Sequence, residues 1–261
     1  MAGGSRREPW GTRLCTLAGP ILVLGSAVVP VRAGPPYVTD DPEPVEYRHW
    51  EIFFESQWLH AGKTVLGTVP AVEANYGLLP EVQLSSTVQL LLKPSTGSPM
   101  DYGPGDVEIG IKYRFLQEKV GSPQASIYPA VILPTGDSSR GLGEGTAQLF
   151  LPLWFQKSSG HWTTYGGGGF QTAIGRSSER CWMFGWEGQR EVSNDITAGA
   201  ELFAFSHQDD YRGAEIGCNI GLTVNVSPRH QVLGSLGRDI TGRNQLTGYI
   251  GYLFLLGPNK E

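Results

Sequence analysis

The sequence predicts an all-β fold: a single closed antiparallel transmembrane β-barrel of about 12 strands. Three observations carry that expectation. Residues 213–226 alternate without a break, with Ala214, Ile216, Cys218, Ile220, Leu222, Val224 and Val226 against Gly213, Glu215, Gly217, Asn219, Gly221, Thr223 and Asn225. A side-chain period of two gives a strand with one apolar and one polar face. The run is longer than a usual soluble strand and suits one crossing a bilayer at a tilt, lipid on one side and a wet lumen on the other. Next, Val107, Ile109, Ile111, Tyr113 and Phe115 oppose Asp106, Glu108, Gly110, Lys112 and Arg114. Charges of both signs are costly in a sandwich core but pair and hydrate inside a barrel. Finally, short and longer connectors alternate along the chain, as they do between the two rims of an outer-membrane barrel.

Taken in order, strands are expected near 49–60, 66–77, 81–92, 105–116, 124–133, 145–156, 162–172, 182–192, 196–206, 213–226, 230–237 and 244–255. The short connectors are Leu79-Pro80, Gln117 to Pro123, Ser158 to Gly160, Ser193 to Asp195 and Ser227 to Arg229, read as periplasmic turns. The longer, glycine-rich ones are Ala61 to Val65, Lys93 to Pro104, Pro134 to Glu144, Ala173 to Cys181, His207 to Arg212 and Arg238 to Arg243, read as extracellular loops. Trp50, Trp58, Tyr76, Tyr113, Trp162, Trp182, Trp186 and Tyr252 fall near strand ends, where interfacial aromatic girdles sit. Gly166 to Gly169 lies inside a strand, which permits a sharp bend or the close approach of a plug.

Composition agrees. Charged residues make up 17 % of the chain, against roughly 25 % in soluble domains. Mean hydropathy is slightly negative, which excludes a helical membrane bundle but not a barrel, half of whose strand residues face water. The net charge of −5 argues against a nucleic-acid partner. Residues 1–33 read as a cleavable signal peptide: Arg6, Arg7 and Arg13 precede an apolar run, and Val31-Arg32-Ala33 fits a small-residue cleavage site. Residues 34–48 then form an extended segment, and 49–261 the barrel. Cys181 and Cys218, the cysteines after the signal, read as lone thiols in the wall rather than a disulfide.

Several stretches resemble a known family. They are Gly34-Pro-Pro-Tyr-Val-Thr-Asp-Asp-Pro-Glu-Pro-Val-Glu-Tyr-Arg-His-Trp-Glu51, Gly105 to Phe115, Leu133-Pro-Thr-Gly136, Tyr165 to Gly169, His230-Gln-Val-Leu233 and Gly237-Arg-Asp-Ile240. This sequence is similar to the bacterial "MetA-pathway of phenol degradation" outer-membrane family over about 34–256. The resemblance implies an outer-membrane barrel that passes small hydrophobic or aromatic compounds. It brings no catalytic or binding residues with it.

No motif for catalysis, metal or cofactor emerges. Gly-x-Ser-x-Gly and His-Glu-x-x-His are absent, and Leu142 stands where a phosphate loop beginning at Gly136 requires Lys. The candidate functional residues are instead lumen-lining charges: Glu51, Glu55, Glu73, Asp106, Glu108, Lys112, Arg114, Glu201 and Glu215. They serve either a polar pathway or the salt-bridged filling of a narrow barrel. The 34–48 segment carries four prolines among its acids and enters neither helix nor central strand readily. It is either a plug, with Asp40, Asp41 and Glu43 meeting Lys112 and Arg114, or a periplasmic tail. The expected protein is a monomeric channel in outer-membrane lipid for a small apolar solute. The alternatives are a closed structural barrel and, behind that, a lipid-modifying barrel enzyme.

Overall fold

The computed structural model describes residues 36–61, 64–94, 100–206, 214–242 and 245–258. The signal segment lies outside these residues, as do Gly34 and Pro35. The described chain is an antiparallel meander: β1 (Trp50–Ala61), β2 (Thr64–Leu79), β3 (Val82–Lys93), β4 (Asp101–Pro104), β5 (Val107–Leu116), β6 (Gln124–Ile127), β7 (Ala130–Leu133), β8 (Gln148–Ser159), β9 (Trp162–Ala173), β10 (Arg176–Ser193), β11 (Ile196–Phe205), β12 (Glu215–Ser227), β13 (His230–Thr241) and β14 (Leu246–Leu256). A single-turn helix, Ser138–Arg140, sits in the loop before β8.

These fourteen segments make a closed barrel of twelve staves, because β4 with β5 and β6 with β7 are each one interrupted stave. The first stave pairs with the last, Trp50 opposite Leu256 and His60 opposite Leu246. The interruptions have local causes. At Gly105 the chain leaves the β3 ladder after its amide bonds Gln89 O at 2.9 Å. Pro129 brings no N–H to the ladder, and the Pro129 carbonyl instead accepts from Ile111 N at 3.0 Å.

Burial alternates as the sequence pattern demands. Phe54, Val88, Leu202, Ile220, Leu236 and Ile250 are all at least half exposed and face outward. Such an apolar band is untenable in water and fits contact with hydrocarbon. Asp106, Lys112, Glu201 and Asn219 are buried on the inner face. The aromatics placed at strand ends face outward as well, and Trp50 packs on Tyr76 with ring centroids 4.5 Å apart. Cys181 and Cys218 are free.

One expectation is corrected. The loop expected from Ala173 to Cys181 is mostly strand, since β10 begins at Arg176 and only Ile174 and Gly175 turn the chain. The ladder with β9 slips between Arg176 and Arg180, so this stretch is irregular strand. Gly166 to Gly169 keep an unbroken register with β8 and β10 and seat aromatic rings from the neighbouring strands. A Cβ on inward Gly167 would stand 3.0 Å from the Trp154 ring, and one on Gly169 2.5 Å from Phe150. Outside, Trp186 covers Gly166, and Phe184 covers Gly168.

Candidate functional site

The inner wall encloses the N-terminal segment. Residues 36–45 are mostly buried, with Thr39 at 0 % and Asp40 at 6 % exposure. Prolines at 36, 42 and 44 keep this stretch extended, so its backbone groups need partners on the wall. It crosses the lumen from β13 to β2. Ser235 on β13 donates to Pro36 O at 2.6 Å. Tyr37 lies over two glycines paired across β11 and β12, Gly199 and Gly221: a Cβ would meet its hydroxyl at 2.5 Å or its ring at 2.7 Å. Thr39 rests on Gly185 of β10. Val45 N donates to Gln83 on β3 at 2.8 Å, and Tyr47 bridges Gly77 of β2 before β1 begins.

Two polar anchors hold the middle of the segment. Glu201 of β11 accepts from Val38 N at 3.0 Å and from both Thr39 N and Thr39 Oγ1 at 2.5 Å. Asn219 of β12 donates to the same carboxylate at 2.7 Å and fixes its orientation. On the opposite wall, Lys112 of β5 donates to Asp40 Oδ1 at 3.0 Å and to Asp41 O at 2.8 Å. Arg114 lies 3.9 Å from Glu43 and also bonds Glu81 and Gln124. Glu51 and Glu73 lie within electrostatic reach of this cluster. Acids therefore outnumber the two cations. Burial raises the Asp40 carboxyl above the usual carboxylate range; Lys112 opposes that rise, and the charges of Asp41 and Glu73 add to it. Burial raises Glu43 likewise.

The remaining sequence-predicted residues separate from this cluster. Asp106 is buried but tied to the extracellular loop, accepting from Gly136 N at 2.9 Å and Glu144 N at 2.8 Å. Glu108 accepts from the Tyr128 hydroxyl at 3.1 Å, and Glu73 from Asn75 at 2.8 Å. Glu55 is buried on the inner face of β1, and Glu215 is half-buried at the extracellular end of β12, near Gly242.

Sequence reading missed two things. Glu187 is fully buried on β10, near the Tyr37 hydroxyl and Glu201, and neither of its oxygens has a hydrogen-bond partner among the described residues. The alternation of Trp182, Phe184 and Trp186 outward should have placed it inward. The second omission is apolar. One inward cluster joins Tyr128, Ala130, Phe150, Trp154 and Met183, with Val38 of the segment packed on it. Another joins Phe53, Leu233, Tyr249 and Leu253. The lumen is thus part acidic and part aromatic, and the N-terminal segment touches both parts.

Residues 53–253 match the family described as "Putative MetA-pathway of phenol degradation". The chain belongs to this family. The match reaches into all twelve staves of this phenol-degradation family member but leaves the lumenal segment 36–49 outside it. Similar solved structures include the COG4313 outer membrane channel from Pseudomonas putida F1. It has a TM-score of 0.59 and 14 % identity, and the alignment covers 82 % of this chain and 99 % of that one. The NanC porin has a TM-score of 0.54 at 8 % identity, covering 78 % and 98 %. The KdgM porin in complex with disordered oligogalacturonate has 0.53 at 13 % identity, with the same coverage. At these identities the likeness is one of fold: this family member has the barrel fold of outer-membrane channels and porins. No curated protein matches its sequence.

Proposed function

We propose that this barrel resides as a monomer in the outer membrane, lets small apolar or aromatic molecules cross passively, and is obstructed at rest by its own N-terminal segment. The observation that carries the reading is the dual character of the lumen. The segment is held only by reversible contacts, chiefly hydrogen bonds and one buried ion pair. Where it does not face acids, it covers inward-facing aromatic and aliphatic side chains. An apolar solute gains by contact with such surface. The family description, with its reference to phenol degradation, supports the same solute class. The function is passage, without bond chemistry.

A closed structural barrel is the second reading, favoured by how completely Trp154 and Phe150 are buried in the resting state. Entry of 1-naphthol into lipopolysaccharide-containing proteoliposomes separates the two. Channel activity requires faster entry than into protein-free vesicles of the same lipid. Equal rates would leave the structural barrel.

A further inference from the structure

We infer that the inner wall beneath Val38 is a binding site for a neutral aromatic molecule bearing a hydrogen-bond acceptor oxygen, an aryl carbonyl or a phenol. This rests on the transport reading above and gives that reading a place and a ligand chemistry. The site is the aromatic cluster formed by Tyr128, Phe150, Trp154 and Met183, on which Val38 is packed. Rings enclosed this way favour a flat apolar guest through stacking and edge contacts.

The polar part of the site points to the acceptor. Trp154 Nε1 and Ser126 Oγ are buried and have no hydrogen-bond partner among the described residues. The two residues are registered opposite each other across β6 and β8, so their side chains share the inner face. An indole N–H only donates, and leaving a buried donor unmet is unfavourable. Glu201 and Lys112 in the same lumen are well partnered, and the Glu187 oxygens, unpartnered among the described residues, lie on β10 near the Tyr37 hydroxyl, not on the Ser126–Trp154 pair. Two neighbouring unmet groups inside an aromatic cluster, under a residue whose segment is reversibly held, are what a displaced ligand would leave behind. Val38 is a poor substitute for such a ligand: it fills space but offers no acceptor side chain. Its backbone N–H is engaged by Glu201 at 3.0 Å, so a ligand that takes the place of Val38 must also loosen the Glu201 anchor. Ligand and segment therefore compete, and each weakens the other by the same factor.

The test compares acetophenone with ethylbenzene, which has nearly the same shape and no oxygen. The full mature chain is held in detergent, and amide exchange at Val38 and Thr39 is followed while each probe is titrated. Acetophenone should speed exchange at a concentration at least about ten-fold lower than ethylbenzene. Ser126→Ala and Trp154→Phe, tested separately, should each narrow that gap. Ser126→Ala removes one small group, and the wild-type comparison needs no variant, so a poorly folding tryptophan variant does not remove the test. Equal potency of the two probes, a gap unchanged by both substitutions, or no response to either probe overturns the site. Naphthol flux measured on the same preparation keeps the two ideas apart. Flux without discrimination fells only the site; absence of flux fells the transport reading and the site with it.

Discussion

Replacing Glu201 with alanine should loosen the docked segment. The carboxylate accepts three hydrogen bonds from it, two from Thr39 and one from Val38, at 2.5–3.0 Å. At about 1–2 kcal/mol each, their loss weakens docking by about 3–6 kcal/mol, roughly a 10²- to 10⁴-fold shift toward the undocked state. Removing the acceptor also leaves Val38 N and Thr39 N unmet when docked, which pushes the same way. The Asp40–Lys112 pair and the Pro36 and Val45 contacts remain, so the segment should visit the undocked state often rather than abandon the lumen. The assay is amide exchange at Val45, whose acceptor Gln83 is untouched by the substitution. Its protection should fall by at least about a hundred-fold. Unchanged protection at Val45, with faster exchange only at residues 38 and 39, would show that the anchors act independently and would refute the idea of a cooperatively docked segment.

Other consequences follow from the same geometry. Lys112→Met leaves Asp40 and Asp41 without their buried cation; it should cost roughly 3–5 kcal/mol of docking or barrel stability, read as a lower temperature for the heat-induced gel shift. The same variant should also shift the reversal potential toward cation selectivity. Because the docked Asp40 carboxyl titrates above its free range, docking takes up protons. Docking should therefore strengthen as pH falls and weaken as pH rises from the free carboxylate range through the raised value. Conductance at pH 8 should exceed that at pH 5, and Asp40→Asn should flatten the difference; higher conductance in acid would contradict this. Gly221→Val places a side chain where the Tyr37 ring lies and should raise flux without altering barrel assembly. Gly169→Val collides with Phe150 inside the wall and should cost about 1–3 kcal/mol, checked by the same gel shift.

The barrel is legible in the sequence because lipid and lumen impose a strict period of two. Residues 215–226 show it with no exceptions, and the match of outward Ile216, Ile220 and Leu222 to the exposed face is direct. Reading fails where both faces are large. In β8, Leu149, Leu151 and Leu153 point out while Phe150 and Trp154 point in, so the inner aromatic cluster is invisible as alternation. It fails again at Gly199 and Gly221, whose pairing across strands needs the register and not just the composition. The acidic segment and the basic pair Lys112 and Arg114 are plain in the sequence, and in the structure they meet. The matching role of Glu201 on the opposite wall is not legible, because nothing local distinguishes it from Glu215, which faces the same lumen nearer the rim.

The central claim is that flux requires the segment to leave the wall, and a reversible tether tests it most directly. Thr39 Cβ lies 3.2 Å from where a Cβ at Gly185 would stand, so an outward shift of a few tenths of an ångström brings the pair into the roughly 3.5–4.5 Å that a disulfide spans. With Cys181 and Cys218 replaced by alanine, Thr39→Cys and Gly185→Cys would bind the segment to β10 when oxidised. Naphthol entry into proteoliposomes should fall to the protein-free rate on oxidation and recover on reduction. Equal flux in both states would contradict the account.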